Sequence, residues 1–149
     1  MALIDLVVEK IVKVPLESTD KPGVLRELVK VLSDAGEITD YDIALAAVQD
    51  REYKQSTGLT DGIAVPHAKT PAVTSLKLAI GISHDGIDFD SMDKQPSKLF
   101  FLLLASPGMS GPHVEALAEI AKLSRSKALC RALVNAEDAK EVVELLTGD

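Results

Sequence analysis

The run Leu99-Phe100-Phe101-Leu102-Leu103-Leu104-Ala105 constrains the fold of this chain more than any other stretch. It is too short to cross a bilayer. Apolar at successive positions, it would bury side chains on both faces of an extended segment. It therefore reads, from Lys98 to Ala105, as a central strand of a sheet covered on both sides. Ile63–Val65 and Leu76–Ser83 supply further strands, and Ile11–Leu16 offers another near the amino end. Gly86–Asp93 reads as a loop or hairpin connection.

Helix signals lie before and after these strands. In Ser18-Thr19-Asp20-Lys21-Pro22, capping side chains precede a proline that the first helical turn tolerates. Leu25, Leu28, Val29 and Leu32 follow at helical spacing, and Gly36 supplies a stop. A second helix starts at Thr39 or Asp40 and runs through Ile43, Ala44, Ala47 and Val48 towards Arg51. After Pro107-Gly108, the segment Gly111-Pro112-His113 opens a helix carrying Val114, Leu117, Ala118 and Ala121, and Ala128–Val134 and Ala139–Leu146 follow as two more. The expected fold is α/β (α+β-like). It is a single domain over 1–149 with a mixed sheet of about four to five strands and helices on both sides.

Charge and composition narrow the function. A net charge of −7 argues against a nucleic-acid module, which needs a basic face. Aromatic residues make up 3% of the chain, with no tryptophan, leaving few platforms on which to stack sugars or bases. The amino end lacks the basic and apolar pattern of a signal peptide. Cys130 is the only cysteine, which excludes an internal disulfide and suits a reducing cytoplasm, the expected location.

Three histidines, His67, His84 and His113, are the candidates for chemistry. In Ser56-Thr57-Gly58-Leu59-Thr60-Asp61-Gly62-Ile63-Ala64-Val65-Pro66-His67 a glycine-punctuated lead-in enters a short β-prone run. Pro66 stops that run, so His67 is expected at a strand end, where its side chain is presented. His113 is expected in the first turn of its helix, where unpaired N–H groups and the helix dipole suit a phosphoryl group and keep the ring neutral. No two histidines are spaced one helical turn apart as in a zinc site, and no metal is expected. Gly108-Met109-Ser110-Gly111 is not the nucleophile elbow of a serine hydrolase. Asp85–Asp93 lacks the glycine position and terminal glutamate of a calcium loop. His84 is expected at a strand end without a catalytic part, and Cys130 as a buried helix residue.

Arg51-Glu52, then Ser56-Thr57-Gly58, then Gly62-Ile63-Ala64-Val65-Pro66-His67 resembles the IIA domains of the bacterial phosphoenolpyruvate-dependent sugar phosphotransferase system, of the fructose, mannitol and nitrogen-regulatory type. Gly86-Ile87-Asp88-Phe89, Asp93-Lys94-Gln95-Pro96, the apolar strand and His113 fit the same pattern in order. The resemblance implies that His67 takes a phosphoryl group from an HPr-like carrier protein and passes it to a IIB component or, in a nitrogen-regulatory member, switches the binding of regulatory proteins. It implies His113 as a second active-site histidine and Arg51 as the charge-stabilising arginine, with no small cofactor, and with the membrane met only indirectly through a IIC transporter. Gly58 and Gly62 would admit close backbone approach, while Thr57 and Lys69 would add hydrogen bonds. One departure stands out: Thr60-Asp61 occupies positions where the family often carries glycine and asparagine, which is expected to bring an acidic group near the site.

Overall fold

The computed structural model describes residues 3–148; Met1, Ala2 and Asp149, which complete the expected 1–149 domain, lie outside the described residues. Two short 3-10 turns, Leu3–Leu6 and Glu9–Ile11, lead into strand β1 (Val12–Lys13). Helices α1 (Lys21–Asp34) and α2 (Tyr41–Lys54) follow, then strands β2 (Ile63–Ala64), β3 (His67–Lys69), β4 (Lys77–Ile87) and β5 (Ser97–Ala105). Helices α3 (Ser110–Ser124), α4 (Lys127–Val134) and α5 (Ala139–Thr147) close the chain. The domain is mixed α/β, with a five-stranded mixed sheet and helices on both of its faces.

Strand β5 holds the centre, as its apolarity demands. Leu99 through Ala105 are all buried. β4 pairs with it antiparallel on one side, Ile80 opposite Phe101 and Gly81 opposite Phe100. β1 adds to β4 in parallel. On the other side β2 and β3 share one edge of β5, both parallel: Ile63 pairs with Leu99 and His67 with Leu103. Side chains alternate across the sheet. The Gly81 and Phe100 face meets Leu28 of α1, while the Ile80 and Phe101 face meets Leu123 of α3 and Leu146 of α5.

The structure revises three of the expected elements. The segment Ile63–Val65 does not end the pairing: Pro66 has no N–H to give, yet its carbonyl still accepts the Leu103 N–H at 3.0 Å. The chain therefore stays on the edge of β5, and His67 begins a renewed strand rather than following a finished one. β1 is confined to Val12–Lys13, with Pro15 unable to donate to a ladder. β4 runs on through Gly86 (φ +85°) to Ile87, with a register shift between Ile82 and Ile87, over residues whose pattern reads as a loop. The helix starts follow the capping residues. Asp20 accepts from Gly23 N–H at 2.8 Å, and Asp40 from Ile43 N–H at 3.0 Å.

Candidate functional site

Three elements converge on one spot. The first residue of β3 is His67, and its pairing with Leu103 sets it near the carboxyl end of β5. β5 exits through a tight turn, in which Met109 N–H bonds Ser106 carbonyl, straight into α3. That short return brings His113, the fourth residue of α3, against His67. Their rings meet edge to face at 73° with centroids 5.3 Å apart. From the last turn of α2 comes Arg51, whose Nη1 donates to the Gln55 carbonyl at 2.7 Å. Sites at the carboxyl ends of strands are the common placement in open α/β sheets.

The ring of His67 is held in one tautomer. Its Nδ1 lies 2.8 Å from the Val65 carbonyl oxygen. A carbonyl only accepts, so Nδ1 carries the hydrogen and the Nε2 lone pair is left free. Burial pushes His67 below the ordinary 6.5; the Val65 bond opposes this, the Arg51 charge adds to the lowering, and Glu52 acts against it. Burial also lowers His113, with the charges of His67 and Lys69 acting in the same direction. His113 is itself buried, and its Nε2 has no hydrogen-bond partner among the described residues.

Both rings are accordingly neutral at pH 7. Because folding depresses their pKa values, the unfolded chain binds more protons than the folded one as pH drops below 6.5. The stability these two residues contribute is present above pH 6.5 and is lost as pH falls toward their folded-state values. In NMR titrations of the ring protons, His67 and His113 will show midpoints below 6.5. A midpoint at or above 6.5 for either contradicts the burial account.

The lead-in to His67 is a small hairpin. Val65 N–H bonds Thr57 carbonyl at 3.0 Å and Leu59 N–H bonds Ile63 carbonyl at 2.8 Å. Asp61 (φ 59°) and Gly62 (φ 79°) are both left-handed at its tip, as a type I′ turn requires, which explains Gly62. Gly58 answers to space instead: a Cβ there would stand 2.9 Å from Phe89 O and Ser91 Cα. The close approach at Gly58 is thus made by the Phe89–Ser91 segment.

Asp61 corrects an expectation. It lies beyond Ile63, whose pairing with Leu99 is four positions along β5 from that of His67, about 13 Å at the usual strand rise. Its carboxylate pairs with Lys127 at 3.5 Å, on the rim of a cavity of about 400 Å³ that neither histidine lines. The acidic residue is therefore remote from the site. His84 also has a plain use, its Nε2 donating to the Ala136 carbonyl at 2.8 Å.

Lys69 Nζ donates to Ser110 Oγ at 2.6 Å, joining β3 to the start of α3 beside His113. Thr57 is buried, and its hydroxyl goes to Glu52 Oε2 at 2.7 Å. Glu52 and Lys21, an ion pair at 3.0 Å, are features of the site to which no role attaches from the sequence. Capping separates α3 from its neighbours: no side chain caps its amino end, whereas Asp20, Asp40, Ser126 and Asp138 cap the other four helices. An uncapped helix start beside two neutral histidines is a place for an anion. Among the described residues no cluster of three or more His, Cys, Asp or Glu side chains could hold a metal ion, and no helix is long and apolar enough to cross a membrane.

The fructose-specific EIIABC component of Bacillus subtilis is 35% identical over 146 residues, which are 98% of this chain but 23% of that protein. The fold superposes on the nitrogen regulatory protein IIA-Ntr of Neisseria meningitidis with a TM-score of 0.88 at 25% identity, over 97% of this chain and 99% of that one. It also matches, as a fold, the complex of enzyme IIA-mannitol with phosphorylated enzyme IIB-mannitol from Escherichia coli, with a TM-score of 0.81 at 19% identity over 95% and 97% of the two chains. The sequence profile of "Phosphoenolpyruvate-dependent sugar phosphotransferase system, EIIA 2" matches residues 6–148. By its profile over nearly its whole length, this chain belongs to the EIIA type 2 family of the phosphoenolpyruvate-dependent sugar phosphotransferase system.

Proposed function

We propose that this chain is a cytoplasmic phosphoryl carrier, accepting a phosphoryl group on His67 Nε2 from a phosphorylated HPr-like protein and passing it to a IIB component during fructose- or mannitol-type sugar uptake. The observation that carries the proposal is the 2.8 Å contact of His67 Nδ1 with the Val65 carbonyl, which leaves Nε2 unprotonated on a ring packed edge to face with His113. In the first transfer the Nε2 lone pair attacks phosphorus. The P–N bond of the donor phosphohistidine breaks, and its electron pair stays on the donor ring. The Nδ1–H bond to Val65 is kept throughout, so positive charge developing on the His67 ring is stabilised where it forms. In the second transfer an acceptor thiolate attacks the same phosphorus and the electron pair returns to Nε2.

The spreading charge on the phosphoryl oxygens is met by three groups. Arg51 supplies a full positive charge. His113 supplies a neutral N–H, its buried and unpartnered Nε2 fitting this role. The start of α3 supplies unpaired backbone N–H groups and the positive end of its dipole. Lys69, through Ser110, holds that helix start in place.

A nitrogen-regulatory role is the second reading, favoured by the 0.88 superposition on a IIA-Ntr protein. The chemistry at His67 is then the same, and the charge gained there changes an interface with regulatory proteins. Intact-mass spectrometry after mixing with phosphoenolpyruvate, enzyme I and HPr tests the carrier function: one acid-labile phosphoryl adduct is expected, and its absence with a cognate donor in hand overturns it. Rapid drainage of that adduct by a purified IIB protein favours transport. Persistence of the adduct, with phosphorylation-dependent binding to a regulatory protein, favours the second reading. His113→Ala is expected to slow transfer in both directions by about ten- to a hundredfold.

A further inference from the structure

Glu52 stands next to Arg51 in the sequence, and the arrangement of its carboxylate bears on the reacting histidine. Its side chain is 3% exposed. Oε1 accepts the Thr57 N–H at 2.8 Å and lies 3.0 Å from Lys21 Nζ, while Oε2 accepts the Thr57 hydroxyl at 2.7 Å. Successive helix positions diverge by about 100°, so Arg51 and Glu52 face different ways. Arg51 is bonded to the Gln55 carbonyl and has no carboxylate within ion-pair distance among the described residues.

A bonded path runs from this carboxylate to the reacting ring. Thr57, gripped at both its N–H and its hydroxyl, offers its carbonyl to Val65 N–H at 3.0 Å. Val65 in turn offers its carbonyl to His67 Nδ1 at 2.8 Å. Lys21 also braces the neighbouring loops, with Nζ 3.2 Å from Ser56 Oγ, 3.3 Å from Phe89 O and 3.4 Å from Asp90 Oδ2. Helix α1, helix α2, the hairpin and the β4–β5 connection are thus tied at one ammonium group.

We infer that Glu52 is a positioning residue of the phosphoryl-transfer site, with Lys21 and Thr57 as its partners, and that this clamp fixes the Val65 peptide that selects the His67 tautomer. None of the three residues touches the phosphoryl group. The effect on transfer rests on the carrier function proposed above; the effect on the tautomer stands without it.

The tautomer and the transfer rate are separable by experiment. Long-range proton–nitrogen NMR of ¹⁵N-histidine protein reads the His67 tautomer without any phosphoryl donor. Wild type is expected to show one Nδ1–H form, and Glu52→Gln, with an amide NH₂ where a carboxylate oxygen accepted, a mixture of tautomers. Its phosphoryl uptake should fall by about ten- to a hundredfold, as for a reacting group displaced by a fraction of an ångström. Thr57→Val removes only the hydroxyl and is expected to give the same change in smaller measure, with Thr57→Ser restoring wild-type tautomer and rate. This pair decides the matter if Glu52→Gln fails to fold. A single unchanged tautomer together with wild-type rates in Glu52→Gln or Thr57→Val overturns the inference. A tautomer mixture in a chain that takes up no phosphoryl group even as wild type upholds the clamp and sinks the carrier function instead.

Discussion

Replacing His67 with alanine abolishes formation of the acid-labile phosphoryl adduct while leaving the fold intact. His67 is half-buried at the first position of an edge strand, and only its ring is lost; the backbone pairing with Leu103 needs no side chain. The neighbouring histidine does not substitute. His113 sits in the first turn of α3 with its Nε2 buried, and is expected to hold the phosphoryl oxygens rather than attack phosphorus. His84 lies elsewhere, its Nε2 already bonded to the Ala136 carbonyl. The expected result by intact-mass spectrometry is an adduct on wild type and none on His67→Ala, with superimposable circular dichroism. A stable adduct on the variant removes His67 from the centre of the mechanism.

The largest effect on stability is expected at Phe89. This residue follows the end of β4 in an acidic stretch, yet it is fully buried. Its ring packs edge-on against Phe100 of the central strand, centroids 5.3 Å apart, and the Lys21 ammonium stands 4.6 Å above it. The Phe89 carbonyl accepts the Ser56 hydroxyl at 2.7 Å. Phe89→Ala therefore opens a cavity under the hairpin and loses a cation–π contact. It is expected to destabilise the domain by about 3–5 kcal/mol, which lowers Tm by roughly 10 °C in a chain of this size. Urea unfolding measures this, and a loss below about 1 kcal/mol would mean that the connection is not anchored in the core. Phosphoryl uptake should fall as well, since the same residue supports Gly58 and Lys21.

Much of the fold could be read from short-range pattern. An uninterrupted apolar run becomes a central strand because no face of it tolerates water. Asp20 and Asp40 mark helix starts because their side chains meet N–H groups that the helix leaves unpaired. His67, His113 and Arg51 were legible as candidates only because a specific motif surrounds them, and the structure brings all three together.

What pattern could not supply was direction and distance. Asp61 is close to His67 in sequence, but a type I′ turn and a strand separate them, so its charge goes to Lys127. Pro66 looked like a stop because it donates no hydrogen bond, whereas its carbonyl keeps the edge strand aligned. The Glu52 clamp depends on Lys21, a residue on another helix far away in sequence, and an acidic residue on a helix ordinarily faces solvent. The only local hint was a threonine five residues after a glutamate, which is too common to mark a site.

The most direct test of the account is to identify the nitrogen that carries the phosphoryl group. Phosphorylated protein labelled with ¹⁵N-histidine, examined by long-range proton–nitrogen correlation, resolves Nδ1 from Nε2 at each histidine. Phosphorus is expected on Nε2 of His67, with Nδ1 still protonated against the Val65 carbonyl. Phosphorus on Nδ1 of His67, or on either other histidine, would contradict it.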